Sequence, residues 1–129
     1  MRNPSLRHQQ LVAALINYFR TELGYKIISA SYENFSEPEK QGRHEPDIIA
    51  MDNSGVLHIA EAKASYEDIF SETAKEQFID FSNRVMTSNN VPVPLHIVVY
   101  KEDEQFLISR LNQLGLGTLI GNRIKIWTL

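Results

Sequence analysis

Thirteen residues separate Asp47 from the triplet Glu61-Ala62-Lys63, and they decide what those side chains can do together. Residues 56–63 alternate as a strand does, so Glu61 and Lys63, two apart, share one face while Ala60 and Ala62 share the other. Asp52-Asn53-Ser54-Gly55 is a hairpin turn in composition, and folding there returns Asp47, at the start of the partner strand, to the neighbourhood of Glu61 and Lys63. Pro46 supports this reading because it disfavours helix just before it and offers no N–H to a ladder. Two carboxylates placed close together repel unless a cation lies between them. Mg²⁺, or Mn²⁺ in its place, suits the pair, since it prefers oxygen ligands and is commonly held by one or two carboxylates plus substrate phosphate; the backbone carbonyl of Ala62 is a further candidate ligand. Such an ion activates water and neutralises charge in the hydrolysis of a phosphodiester, with Lys63 as an ammonium to position the attacking water or stabilise the transition state. The alternative is structural: a turn-flanking Asp and an exposed Glu-Lys pair on an edge strand.

The elements that must position these groups form one alternating series. A first helix is expected to start near Asn3 and Pro4, with Val12, Leu15, Ile16, Phe19 and Leu23 at helical spacing and Gly24 as the stop. Residues 25–32 read as a strand, 33–45 as a long polar loop carrying Pro38 and Gly42, and 46–51 and 56–63 as the two hairpin strands. A second helix is expected over 71–86, with Ala74, Phe78, Phe81 and Val85 on one face, and then an apolar strand over 95–100 that should be covered on both sides. A third helix over 103–114, ended by Gly115 and Gly117, precedes a closing strand over 123–129. The order αβββαβαβ implies an α/β sandwich, a mixed sheet flanked by helices, in a single domain over residues 1–129.

Composition narrows the chemistry. With no cysteine among 129 residues, disulfides, thiolate zinc sites and thiol catalysis are excluded, and a reducing cytoplasm is the expected setting. The apolar run after Arg2 and Arg7 is broken by Asn17, Arg20 and Glu22, which fits an amphipathic helix, and no membrane association is expected. A formal charge of −3 has the wrong sign for a protein that coats nucleic acid, so binding would need a local basic face or a metal.

Pro46-Asp47, the spacer, and Glu61-Ala62-Lys63 resemble the signature of the PD-(D/E)XK nuclease superfamily, and the surrounding order of elements is the one this superfamily uses. Within it, Lys75-Glu76-Gln77-Phe78-Ile79-Asp80-Phe81 followed by Leu95-His96-Ile97-Val98-Val99-Tyr100 is similar to the archaeal Holliday-junction resolvases, a resemblance that covers about the first hundred residues. It implies a restriction-endonuclease-like αβββαβ core with an extra C-terminal helix and strand, and a Mg²⁺- or Mn²⁺-dependent endonuclease. Asp47 and Glu61 would then be metal ligands, Lys63 the catalytic lysine, DNA the substrate in preference to RNA, and a homodimer the assembly.

Many of these relatives carry a glutamate on the first helix, where this chain has His8 with Gln9 and Gln10 beside it. His8, four residues before Val12, can reach the site as a metal ligand or hydrogen-bond partner, or be satisfied by neighbouring backbone; Gln10 is a second candidate. Lys75 and Gln77 open the helix after the signature, suited to support Lys63 or contact phosphate, though a solvated lysine is the simpler reading. Arg43 and His44, just before Asp47, are candidate phosphate contacts, while Glu33, Glu37 and Glu39 in the same loop would repel a duplex. Tyr66, Glu67 and Asp68 read as a solvent-facing turn without a role, and Trp127 as core or interface. Two alternatives stand beside the DNA nuclease: a nuclease-fold binding or assembly module, marked by His8 in the glutamate's place, and an RNA-directed nuclease within a larger complex.

Overall fold

The computed structural model describes residues 5–41 and 43–129. Helix α1 (Leu6–Thr21) opens at Ser5, whose side chain accepts the His8 N–H, so the expected start at Asn3 and Pro4 lies outside the described residues. The rest follows in the order β1 (Lys26–Ala30), β2 (Ile48–Met51), β3 (Leu57–Ala62), α2 (Tyr66–Ile69), α3 (Glu72–Ser82), β4 (Leu95–Val99), α4 (Glu104–Gln113) and β5 (Ile124–Thr128). The five strands make one open mixed sheet in the order β1-β2-β3-β4-β5, antiparallel across β1, β2 and β3 and parallel across β3, β4 and β5.

Each face of the sheet has its own core, which makes the alternation of β3 legible. Leu11, Val12, Leu15, Ile16 and Phe19 of α1 lie on Ala50, Ala60, Ala62 and Val98, where small residues let the helix come close. On the other face Phe78 and Phe81 of α3 and Leu107 and Leu111 of α4 cover Ile59, Leu95, Ile97, Val99 and Ile124. Strand β4 is therefore covered on both sides, as its apolar run predicts. No helix among the described residues is long and apolar enough to cross a membrane.

Two helical boundaries differ from expectation. Helix α3 ends at Ser82, because Ser82 Oγ and Asn83 Nδ2 both donate to the Ile79 carbonyl and compete with its continuation. Val85 therefore leaves the helical face and sits half-exposed in an isolated bridge to Pro92. Tyr66, Glu67 and Asp68, expected to be a turn, belong to the one-turn helix α2, capped by Ser65. At the third helix, 101–103 are a 3₁₀ turn that leads into α4.

Between α1 and the sheet lies a chain of hydrogen bonds whose protons can be assigned. Trp127 Nε1–H only donates, so His96 Nδ1, 2.9 Å away, accepts. His96 then carries its proton on Nε2 and donates it to His58 Nδ1 at 2.8 Å, and His58 in turn donates from Nε2 to Asp52 at 3.0 Å. The His96 ring is neutral. Burial first, then His58 and Lys125, push His96 down to about 3, and the His58 hydrogen bond chiefly holds the Asp52 carboxyl below its usual range. Unfolded, His96 protonates near pH ~6.5, so its contribution to stability is complete above that pH and is lost as pH falls toward its folded value. Denaturant titrations are expected to show about 2 kcal/mol less stability at pH ~5 than at pH ~8, much of it absent from His96→Asn. An unchanged profile in that variant would contradict the assignment.

Candidate functional site

At the end of the sheet opposite the Asp52 turn, β2 and β3 part company. Ile48 is the register partner of Ala60, yet the Asp47 N–H also donates to the Ala60 carbonyl at 3.0 Å, so the ladder slips by one residue there. This slip brings Asp47 Oδ2 within 2.8 Å of the Ala62 N–H, and the carboxylate takes the place of a missing strand partner. The N–H and carbonyl of one strand residue point the same way, so the Ala62 carbonyl is also turned toward the Asp47 side and away from β4, which instead receives the Lys63 N–H. Sequence pairing brings Asp47 back to the Glu61-Ala62-Lys63 segment, as the hairpin requires.

Charge is concentrated where water is absent. Asp47 and Glu61 are both 0% exposed and Lys63 is 3% exposed, with Lys63 Nζ lying 3.8 Å from Glu61 Oε2. The expectation of an exposed Glu-Lys pair on an edge strand therefore fails: β3 is the middle strand of the sheet, and the pair is enclosed. A buried carboxylate is tolerated only with a compensating cation or strong donors, and Lys63 is one such cation.

The other candidate residues divide. His8, buried at the first turn of α1, places Nε2 3.1 Å from Asp47 Oδ2; a carboxylate only accepts, so His8 carries its proton on Nε2. Gln77 is buried and accepts from Lys63 Nζ through Oε1. Gln10 does not join them: it is exposed and accepts from the Tyr100 hydroxyl at 2.8 Å. Lys75, on the outside of α3, is 3.8 Å from Glu72 and does not line the cleft. Arg43 and His44 each lie 3.3 Å from Glu76, with Asp80 next to them, so the loop that carries them is tied to α3. Both still line a cleft of about 520 Å³ that also includes Glu45, Lys63, Asp68, Ser71, Thr73 and Gln77.

Asp68 is the residue that sequence reasoning missed. Expected to face solvent without a role, it instead turns Oδ1 to 3.7 Å from Lys63 Nζ. The available signal was Ser65, a serine three residues ahead of an acidic residue, which is how a short capped helix begins.

Among the described residues no group of three or more His, Asp or Glu side chains is arranged to hold a metal ion. Asp47, held at the Ala62 N–H, the neighbouring Glu61 and the Ala62 main-chain carbonyl offer oxygen donors alone, a donor chemistry that suits Mg²⁺ with waters or phosphate completing its shell. No family model, curated protein or solved structure matches this chain.

The buried Lys63 makes a stability prediction. Lys63→Met leaves Glu61 enclosed without its cation and is expected to destabilise the fold by about 3 kcal/mol, while adding Glu61→Gln should recover most of the loss. Denaturant titration of the single and double variants reads both values; a Lys63→Met protein as stable as wild type would show that Lys63 does not compensate Glu61.

Proposed function

We propose that this chain is a divalent-metal-dependent nuclease of the PD-(D/E)XK kind, with a restriction-endonuclease-like core, hydrolysing phosphodiester bonds of DNA. The observation that carries the reading is the burial of Asp47, held at the Ala62 amide, and of Glu61 beside Lys63, with Lys63 itself lining a cleft. The order of elements and the placement of the hairpin in mid-sheet support it.

Asp47, Glu61 and the Ala62 carbonyl would hold Mg²⁺ or Mn²⁺. Bound there, the ion would supply Lewis-acid polarisation of a phosphoryl oxygen and an easier deprotonation of water. Each protein group then has a defined task. His8 donates to Asp47 and fixes that carboxylate's orientation, so it acts as an outer partner of a ligand and takes the place that relatives give to a glutamate. Lys63, held by Gln77, presents positive charge to the attacking water and to the negative charge that develops on the phosphate. Arg43 and His44 can exchange Glu76 and Asp80 for substrate phosphates at the mouth of the cleft. One such site per chain cuts one strand, so cleavage of both strands calls for a homodimer.

A non-catalytic binding module is the second reading, favoured by His8, which stands where the resembled nucleases carry a glutamate and is engaged with Asp47. One experiment separates the two: labelled single-stranded, duplex, flapped and four-way-junction DNA, and RNA, incubated in Mg²⁺ and in Mn²⁺. The nuclease reading expects cleavage that falls at least about a hundredfold in Glu61→Ala and about 10- to 100-fold in His8→Ala. Preference for the RNA substrate would reassign the target. Silence from folded wild-type protein on every substrate would favour the binding module.

A further inference from the structure

We infer that Asp68 is a positioning residue for Lys63, holding the ammonium group at the inner wall of the cleft from the one side that reaches water. The inference rests on the nuclease reading for what Lys63 does, though not for where Lys63 is held.

Three groups surround Lys63 Nζ: Gln77 Oε1 as a hydrogen-bond acceptor, Glu61 at 3.8 Å and Asp68 at 3.7 Å. They come from α3, β3 and α2 respectively, so the ammonium group is fixed against three separate elements. Glu61 is enclosed and Gln77 is buried, whereas the Asp68 side chain keeps 36% of its surface exposed and lines the cleft. Asp68 is an anion that opposes drift of the ammonium group into the cleft, and a lysine's four-carbon stem allows that drift.

Asp68 is itself held. Its N–H donates to Ser65 Oγ at 3.1 Å, and its Oδ2 accepts the Ala64 N–H at 3.3 Å, which leaves Oδ1 for Lys63. The turn that follows Lys63 is thereby folded back onto Lys63's own side chain.

Substitution can separate charge from structure. Asp68→Asn retains an oxygen to accept the Ala64 N–H but removes the negative charge, and Asp68→Glu restores the charge on a longer arm. Two readouts are needed in the full chain: the kcat and KM of cleavage, and the ¹H–¹⁵N signal of the Lys63 ammonium, which is visible only while that group is shielded from exchange with water. The expected result is a signal present in wild type, broadened away in Asp68→Asn and recovered in Asp68→Glu. Alongside it, kcat should fall about tenfold in Asp68→Asn with KM within about twofold of wild type, since an interaction that acts only on the reacting centre lowers kcat and leaves binding alone. Thermal denaturation of the three proteins establishes that each is folded.

An Asp68→Asn protein with an intact ammonium signal and unchanged kcat would overturn the inference, as would a rise in KM alone, which would make Asp68 a substrate contact. If no variant and no wild-type protein cleaves any substrate, while the signal is lost in Asp68→Asn and recovered in Asp68→Glu, the nuclease reading fails and the positioning of Lys63 stands.

Discussion

Carboxylates withdrawn from water must be answered by positive charge or by donors, and the end of the β2–β3 hairpin is built around that demand. Asp47 and Glu61 are both enclosed, Asp47 at the Ala62 N–H and Glu61 beside Lys63. Asp47 is answered by the Ala62 N–H and by His8, and Glu61 by Lys63, which in turn draws Gln77 and Asp68 to itself. Those partners come from α1, α2 and α3, so the charges at one point of the sheet fix the helices on both of its faces. A core of the same size could enclose apolar groups at this point more cheaply, and a buried charge pair is weak evidence for stability. The proposed nuclease site rests on that enclosure.

The hairpin is held at its other end by similar means. Asp52 accepts the N–H groups of Ser54 and Val56 through one oxygen and His58 through the other, and His58 continues through His96 to Trp127 on the edge strand β5. Both ends of the hairpin therefore carry an aspartate that takes up backbone donors the ladder leaves over. Between them Ala50 and Ala60 present a flat surface to α1, and this brings His8 down to the level of Asp47. The rigidity of the scaffold and the placement of the charged groups follow from the same strand pair.

Much of this is legible in the sequence where it depends on period and punctuation. The alternation of β3 separates Ala60 and Ala62 from Glu61 and Lys63, the Asp-Asn-Ser-Gly turn places Asp47, and the helical spacing before Gly24 gives the buried stripe of α1, including His8 at its start. Three features depend on tertiary contacts and could not be read in this way. Arg43 and His44 read as phosphate contacts on an open loop until α3 is seen to present Glu76 and Asp80 to them. Gln10 is one residue in a helix whose rotation against the sheet is set by packing, and that rotation turns it to Tyr100 and away from Asp47. Asp68 lies in a polar stretch too short for periodicity to speak, and its role depends on where Lys63 ends. The early end of α3 has a local cause, the side chains of Ser82 and Asn83, which a count of apolar residues passes over.

The central proposal is that Asp47, Glu61 and the Ala62 carbonyl form one divalent-cation site, and adding Mn²⁺ to ¹⁵N-labelled protein tests it without reference to any substrate. Paramagnetic broadening should appear first at the amides of Asp47, Glu61, Ala62 and Lys63 and should be absent in Glu61→Ala. Broadening that is uniform, or that centres on the acidic loop residues Glu33, Glu37 and Glu39 while the hairpin end stays sharp, would contradict it.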